Sequence, residues 1–290
     1  MGPLTTIGLP VALGIIMFGL GLSLTPRDFT RVAKEPRAVL VALGCQLVLL
    51  PLICFGLVLL FRLPPVLAVG MMLLAASPGG TTANLYSHLF RGDVALNISL
   101  TAVNSVLAVF TLPLITNLAI AYFLPGDDGL GLQFAKTIEV FAIVLGPVVL
   151  GMLVRWWKPA FADRMDKPVR IASVIILVIV IAGAIATNLE LLLANAGTLA
   201  LITVLFCVLS LAVGFAVPRL LRVGRAQSVA SSFEIGIHNA TLAIVIAQTV
   251  IGSVEMSLPA AVYGVLMFFV ALGFGFLIRE RKPAEVAAPA

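Results

Sequence analysis

Ala75-Ala76-Ser77-Pro78-Gly79-Gly80-Thr81-Thr82-Ala83-Asn84 interrupts an apolar run whose pattern otherwise predicts a helix over about 66–89. Counted from Val66 at 1.5 Å per residue, Ser77 falls about 16 Å along that helix, near the middle of a ~30 Å hydrocarbon layer. Pro78 removes a backbone donor and clashes with the preceding turn, and two glycines follow it. These residues fit either an opened helix or a simple proline kink. Unwound backbone is tolerated at such depth only where it is packed in protein or lines a wet cavity.

The rest of the chain places this stretch inside a membrane. Of 290 residues, 61% are hydrophobic and 11% charged, with mean hydropathy +1.17. A water-soluble domain needs about 25% charged residues to cover its surface. Apolar runs predict helices at about 6–24, 38–61, 66–89, 94–122, 134–154, 169–188, 197–217, 228–251 and 258–278, nine spans in all. The predicted links are TPRDFTRVAKEPR, RLPP, RGD, PGDDGLGLQ, RWWKPAFADRMDKP, LLANAG, RLLRVGRAQ and GSVEM. The fold class expected is an all-α integral membrane protein forming one transmembrane domain over 1–278. Residues 279–290 are expected to be a disordered cytoplasmic tail.

Charge orients the spans. With the N-terminus outside, the cytoplasmic stretches hold Arg27, Arg31, Lys34, Arg37, Arg91, Arg155, Lys158, Arg164, Lys167, Arg170, Arg219, Arg222, Arg225, Arg279, Arg281 and Lys282. Arg62 and Lys136 remain outside, with Asp127 and Asp128. This asymmetry explains the net charge of +5 without any nucleic-acid partner and predicts N-out, C-in topology in the cell inner membrane. No Lys or Arg precedes the first apolar run, so a cleaved signal is not expected. Cys45, Cys54 and Cys207 are scattered through apolar helices and fit neither a disulfide framework nor a zinc spacing.

A second interruption lies five spans later, at Ser231-Ser232-Phe233-Glu234-Ile235-Gly236-Ile237-His238-Asn239-Ala240-Thr241. Glu234 is about 9 Å and His238 about 15 Å along the helix from Ser228. A carboxylate in the bilayer costs roughly 2.5–3.5 kcal/mol, so Glu234 needs a partner, an ion or water. The bland reading is a Glu snorkelling toward Arg222 or Arg225. An odd separation makes the two interrupted spans run in opposite directions, and each is followed by one long helix. That fits an inverted repeat, with halves 6–122 and 134–278 and one helix missing from the first. A half-helix starting near Gly80 aims N–H groups at an anion, while freed carbonyls and Glu234 suit a small hard cation.

On these residues the chain resembles the bile acid:sodium symporter family, whose bacterial members are homologues of the bile acid transporters. The resemblance covers nearly the whole length and is strongest in 14–29, 77–104 and 233–243, where SPGGT-x-x-N pairs with E-x-G-x-x-N. It implies panel and core domains, two crossed discontinuous helices in the core, and a chain beginning at the second helix of the ten-helix version. It also implies that Glu234 is shared between two sodium sites. Asn84, Thr101 and Asn97 then serve one site; Gln46, His238 and the carbonyls of Ile235 and Ile237 serve the other. Ala83 and Asn97 stand where serines are usual, and His238 stands in place of a glutamine. Neutral imidazole is a poor sodium ligand and titrates near physiological pH, which keeps proton coupling open. Met267 and Phe268 occupy positions where relatives carry polar pocket residues.

The expectation is a secondary active transporter: sodium-coupled symport of an organic anion, bile acid-like or a small carboxylate such as pantoate or pyruvate. Gly79, Gly80, Thr81, Asn239, Thr241 and Met267 are the expected substrate residues. Sodium is the expected coupling ion and no cofactor is expected. The alternatives are a proton-coupled or uniport carrier of the same fold, and more remotely an arsenite permease, an intramembrane enzyme or a receptor. No G-x-S-x-G or H-E-x-x-H is present, only two histidines occur, and no soluble output domain is expected.

Overall fold

The structure is a computed structural model that describes residues 8–25, 28–30, 34–126, 134–187 and 189–279. Arg27, Arg31, Asp127, Asp128, Arg281, Lys282 and the tail from 280 lie outside the described residues. So do the side chains of Lys136, Glu139 and Arg170.

Among the described residues the long regular elements are all helices: α1 (Leu9–Ser23), α2 (Pro36–Phe61), α3 (Pro65–Ala76), α4 (Thr82–Leu89), α5 (Val94–Phe123) and α6 (Phe134–Trp157). They continue with α7 (Pro159–Thr187), α8 (Leu189–Leu220), α9 (Arg225–Gly236), α10 (Ala240–Ile251) and α11 (Leu258–Ile278). Local chemistry sets many of the ends. Prolines sit in the first turns of α1, α2, α3 and α11, where no intrahelical donor is lost. Asp93 caps α5 by accepting from Leu96 N, and Arg62 ends α2 in the left-handed conformation.

Among the described residues four helices are long and apolar enough to cross a membrane: Pro36–Phe61, Val94–Phe123, Leu189–Leu220 and the stretch Glu255–Ile278. Leu9–Ser23, Pro65–Ala76, Val144–Trp157 and Ala240–Ile251 are shorter apolar helices. The molecule is apolar outside and polar within. Leu40, Leu52, Leu60, Phe110, Leu118 and Phe269 are exposed, whereas Gln46, Asn97, Thr101, Asn104, Glu234 and His238 are buried. Such a surface suits hydrocarbon rather than water.

Two links expected to be irregular are helical. RWWKPAFADRMDKP breaks only at Lys158 before α7 begins at Pro159, and Arg155 pairs with Asp163 across that corner. LLANAG lies wholly within α8, because its leucines and alanines are good helix formers and one Gly does not outweigh them. The structure also contains two π-helical turns with no obvious signature, Cys45–Leu49 in α2 and Ile246–Ile251 in α10.

Helix α1 packs on α6 and α7, while α3, α5, α8, α9 and α11 pack around the interrupted segments. The α1–α6 approach depends on missing side chains. A Cβ on Gly21 would overlap the Val148 carbonyl, and one on Gly151 would overlap the Phe18 carbonyl. We expect Gly21→Val to destabilise the protein by about 1–3 kcal/mol by overpacking, read as a lower thermal unfolding midpoint in detergent. Gly44→Ala, whose methyl would meet open space, should leave the midpoint unchanged.

Candidate functional site

Both interruptions are breaks rather than kinks. Between α3 and α4, Ser77–Thr81 leaves the helix, and between α9 and α10, Ile237–Asn239 does the same. The two breaks cross and complete each other's hydrogen bonding. Gly80 N–H donates to Ile237 O at 2.7 Å, Asn239 N–H donates to Pro78 O at 2.8 Å, and Gly79 and His238 form an antiparallel bridge.

This exchange has a specific consequence. In unbroken helices Pro78 O would accept from Thr82 N–H, and Ile237 O from Thr241 N–H. With those carbonyls satisfied by the opposite segment, no acceptor among the described residues meets the Thr82 and Thr241 amides. Thr81 N–H likewise has no backbone acceptor among the described residues, and Ser77 O, which it would meet in a continuous helix, accepts from Gln46 Nε2 at 3.0 Å. His238 Nδ1 also lies 3.2 Å from Ser77 O, and since a carbonyl only accepts, Nδ1 carries the hydrogen.

The residues that carry these amides line a cleft of about 590 Å³ including its open mouth. Gly79, Gly80, Thr81, Asn239, Thr241 and Met267, the six expected substrate residues, all line it. Thr82, His238, Ala240 and Phe268 complete the wall around the crossing. Ile16, Met17 and Leu20 of α1 and Ser173 and Val174 of α7 also line the cleft. Among the described residues of this lining there is no Asp, Glu, Lys or Arg.

Beneath the crossing lies Glu234, fully buried. Its Oε2 accepts from the Thr101 hydroxyl at 2.5 Å and its Oε1 from Asn104 Nδ2 at 3.3 Å. Gly79 lies against the carboxylate, and a Cβ there would overlap it. Asn104 was absent from the sequence-derived ligand set, although its spacing from Asn97 and Thr101 puts all three on one face of α5. Asn97 Nδ2 donates to Ser87 Oγ at 2.7 Å and Ala230 O at 2.8 Å.

These pairings orient the amides. Each NH₂ faces an acceptor-only group, Ser77 O, Ala230 O or the Glu234 carboxylate, so each amide oxygen is fixed on the far side. Gln46 Oε1, Asn97 Oδ1 and Asn104 Oδ1 are thus buried acceptors without a donor, as is Asn84 Oδ1. A buried unsatisfied polar group costs about 1–3 kcal/mol, and of these carboxamides only that of Asn104 is seen to bond the Glu234 carboxylate. Asn84 makes no hydrogen bond to Glu234; its oxygen faces inward from the first turn of α4. The Ile235 carbonyl is freed because Asn239 N–H goes to Pro78, whereas the Ile237 carbonyl holds Gly80. Gln46 turns its NH₂, not its oxygen, to Ser77.

Comparison with known proteins fits this geometry. The profile of the Sodium Bile acid symporter family matches residues 10–195. The chain belongs to that family. An uncharacterized sodium-dependent transporter of Bacillus subtilis is 30% identical over 255 residues, covering 88% of this chain and 78% of that protein. A probable chloroplastic sodium/metabolite cotransporter of Oryza sativa subsp. japonica is 29% identical over 89% of this chain, which spans 60% of the rice protein. The human ileal sodium/bile acid cotransporter is 26% identical over 94% of this chain and 79% of its own length. The family is one of membrane transporters, not enzymes.

The site makes a direct prediction. Thr101→Val keeps the shape but removes the donor on Glu234, and should cost about 1–3 kcal/mol in thermal unfolding measured in detergent. Ser99→Ala removes a local bond to Ala95 O and should cost less.

Proposed function

We propose that this chain is a sodium-coupled symporter of a small organic anion. The observation that carries the reading is the backbone exchange at the crossing. It leaves three amides without a backbone acceptor among the described residues, those of Thr81, Thr82 and Thr241, on residues that line the cleft, while the buried Glu234 carboxylate lies against Gly79. The amides suit a carboxylate. Glu234 with the Thr101, Asn97, Asn104 and Asn84 oxygens suits a hard monovalent cation. Among the described residues no group of three or more His, Cys, Asp or Glu could hold a metal ion, so the chemistry favours sodium over a transition metal.

Sodium and anion are then coupled through Gly79. A cation beside Glu234 neutralises the charge that would otherwise face the incoming carboxylate, and it steadies the bridge that presents the amides. This reading counts nine spans, taking the shorter apolar helices as spans and each broken pair, α3–α4 and α9–α10, as one. In this reading α1, α6 and α7 are the panel and the remaining helices the core, arranged as an inverted repeat. Rocking of panel against core gives access to alternate sides. The distribution of Lys and Arg supports an N-out, C-in orientation in the inner membrane.

One observation favours a second reading. His238 Nε2 is a buried acceptor with no donor, stacked on Phe206 at 5.5 Å and edge-on to Tyr263 at 5.4 Å. A proton there would be the alternative coupling charge. Uptake into proteoliposomes under imposed gradients separates the two: transport follows the sodium gradient at fixed pH under the first reading, and the proton gradient without sodium under the second. Under the first, Glu234→Gln should reduce sodium-driven uptake of small carboxylates at least 100-fold while the protein stays folded. Unchanged sodium-driven uptake in that variant would refute the proposal.

A further inference from the structure

Tyr86 lies half-buried in α4, two residues after Asn84 and four after Thr82. Its hydroxyl donates to the Phe268 carbonyl of α11 at 2.9 Å, across 182 residues of sequence. In a regular helix that carbonyl already accepts from Leu272 N–H, so its second lone pair takes the tyrosine and α11 is complete without it. Packing does not require the hydroxyl either. The Tyr86 ring lies 5.7 Å from that of Phe233 and 6.5 Å from that of Phe268, inclined to the latter by only 22°. A phenylalanine would make the same ring contacts. The hydroxyl is a tie between two helices.

The helices it joins serve different halves of the site. Helix α4 begins with Thr82, which lines the cleft, and carries Asn84, whose amide oxygen is buried without a donor. Phe233, against the Tyr86 ring, directly precedes Glu234. Ser87 accepts from Asn97, which fixes α4 to the helix that bears Thr101 and Asn104. Phe268 lines the cleft next to Met267. Resting on the proposed sodium site, we infer that Tyr86 is a positioning residue whose hydroxyl joins the segments carrying the cation ligands to the α11 wall of the cargo cleft. A cation that draws Asn84 toward Glu234 settles α4 against α9, and the hydroxyl passes that order to the turn of α11 around Phe268. Tyr86 is not part of the described cleft lining and acts through Phe268.

The test uses the full chain in proteoliposomes, with Phe268→Cys as a reporter in the cleft wall. That substitution keeps the carbonyl that Tyr86 bonds, and Cys45, Cys54 and Cys207 are buried. Alkylation of the introduced thiol by N-ethylmaleimide is timed in sodium and in choline, with Tyr86 and with Tyr86→Phe. Sodium should slow alkylation about 5-fold with Tyr86 and leave it unchanged with Tyr86→Phe. A direct effect of the ion on the thiol would appear equally in both. The rise in thermal unfolding midpoint on adding sodium should persist in Tyr86→Phe, because the cation ligands are intact. An equal sodium effect on alkylation in both proteins, or none with Tyr86 while the midpoint still rises, would overturn the role of Tyr86. So would loss of the midpoint rise in Tyr86→Phe, which would make the tyrosine part of the cation site itself. Absence of that rise in the unsubstituted protein would instead overturn the sodium reading, and this inference with it.

Discussion

Two helices are opened in a place where water cannot satisfy their backbones, and each is completed by the other. Four polar groups, the Pro78 and Ile237 carbonyls and the Gly80 and Asn239 amides, pair across the crossing. Without that exchange, each would be an unsatisfied backbone group in an apolar interior, at a cost of several kcal/mol apiece. The bridge is thus what makes the breaks tolerable. Where the chain leaves the helix to make these bonds, the Thr81, Thr82 and Thr241 amides lose their usual i−4 partners, and the proposed anion site is built on them.

The surroundings conform to this constraint. Gly79 has no side chain because Glu234 occupies that space, and Gly236 has none because Leu211 does. Tyr263 donates to Gly236 O at 2.8 Å and Ser232 to Leu211 O, so α8 and α11 hold the second break from outside. At one end of α9, Asp93 N–H bonds Ala226 O and Gln227 bonds Glu35. The segment can be open in the middle because it is pinned at its start and at its end. Charge follows the same logic. The carboxylate lies against Gly79 and is not part of the described cleft lining, so in the proposed mechanism a cation beside it would offset the charge that meets an incoming anion.

Much of this could be read from residue order. Pro78-Gly79-Gly80 marks the first break because proline and glycine act on the backbone directly, and Glu234 marks the second because a carboxylate at that depth demands a reason. The polar positions of α5 follow helical spacing, which would also have found Asn104. Other features were not legible. The π-helical turns at Cys45–Leu49 and Ile246–Ile251 come from packing, and no residue type announces them. The helical course of LLANAG and most of RWWKPAFADRMDKP was hidden because polar residues at a membrane surface read as a loop, while α7 and α8 run on through them. The direction in which Gln46 and Asn97 point their amides depends on acceptors 31 and 133 residues away, which no local pattern contains.

Backbone amide hydrogen exchange in proteoliposomes, with sodium and with choline in its place, tests the central claim most directly. If the crossing is held by a cation at Glu234, peptides covering 77–84 and 233–242 should exchange at least 10-fold more slowly in sodium, while peptides within α8 stay unchanged. Equal protection of both segments in either salt would mean that no sodium ion steadies the crossing, and the account would be wrong.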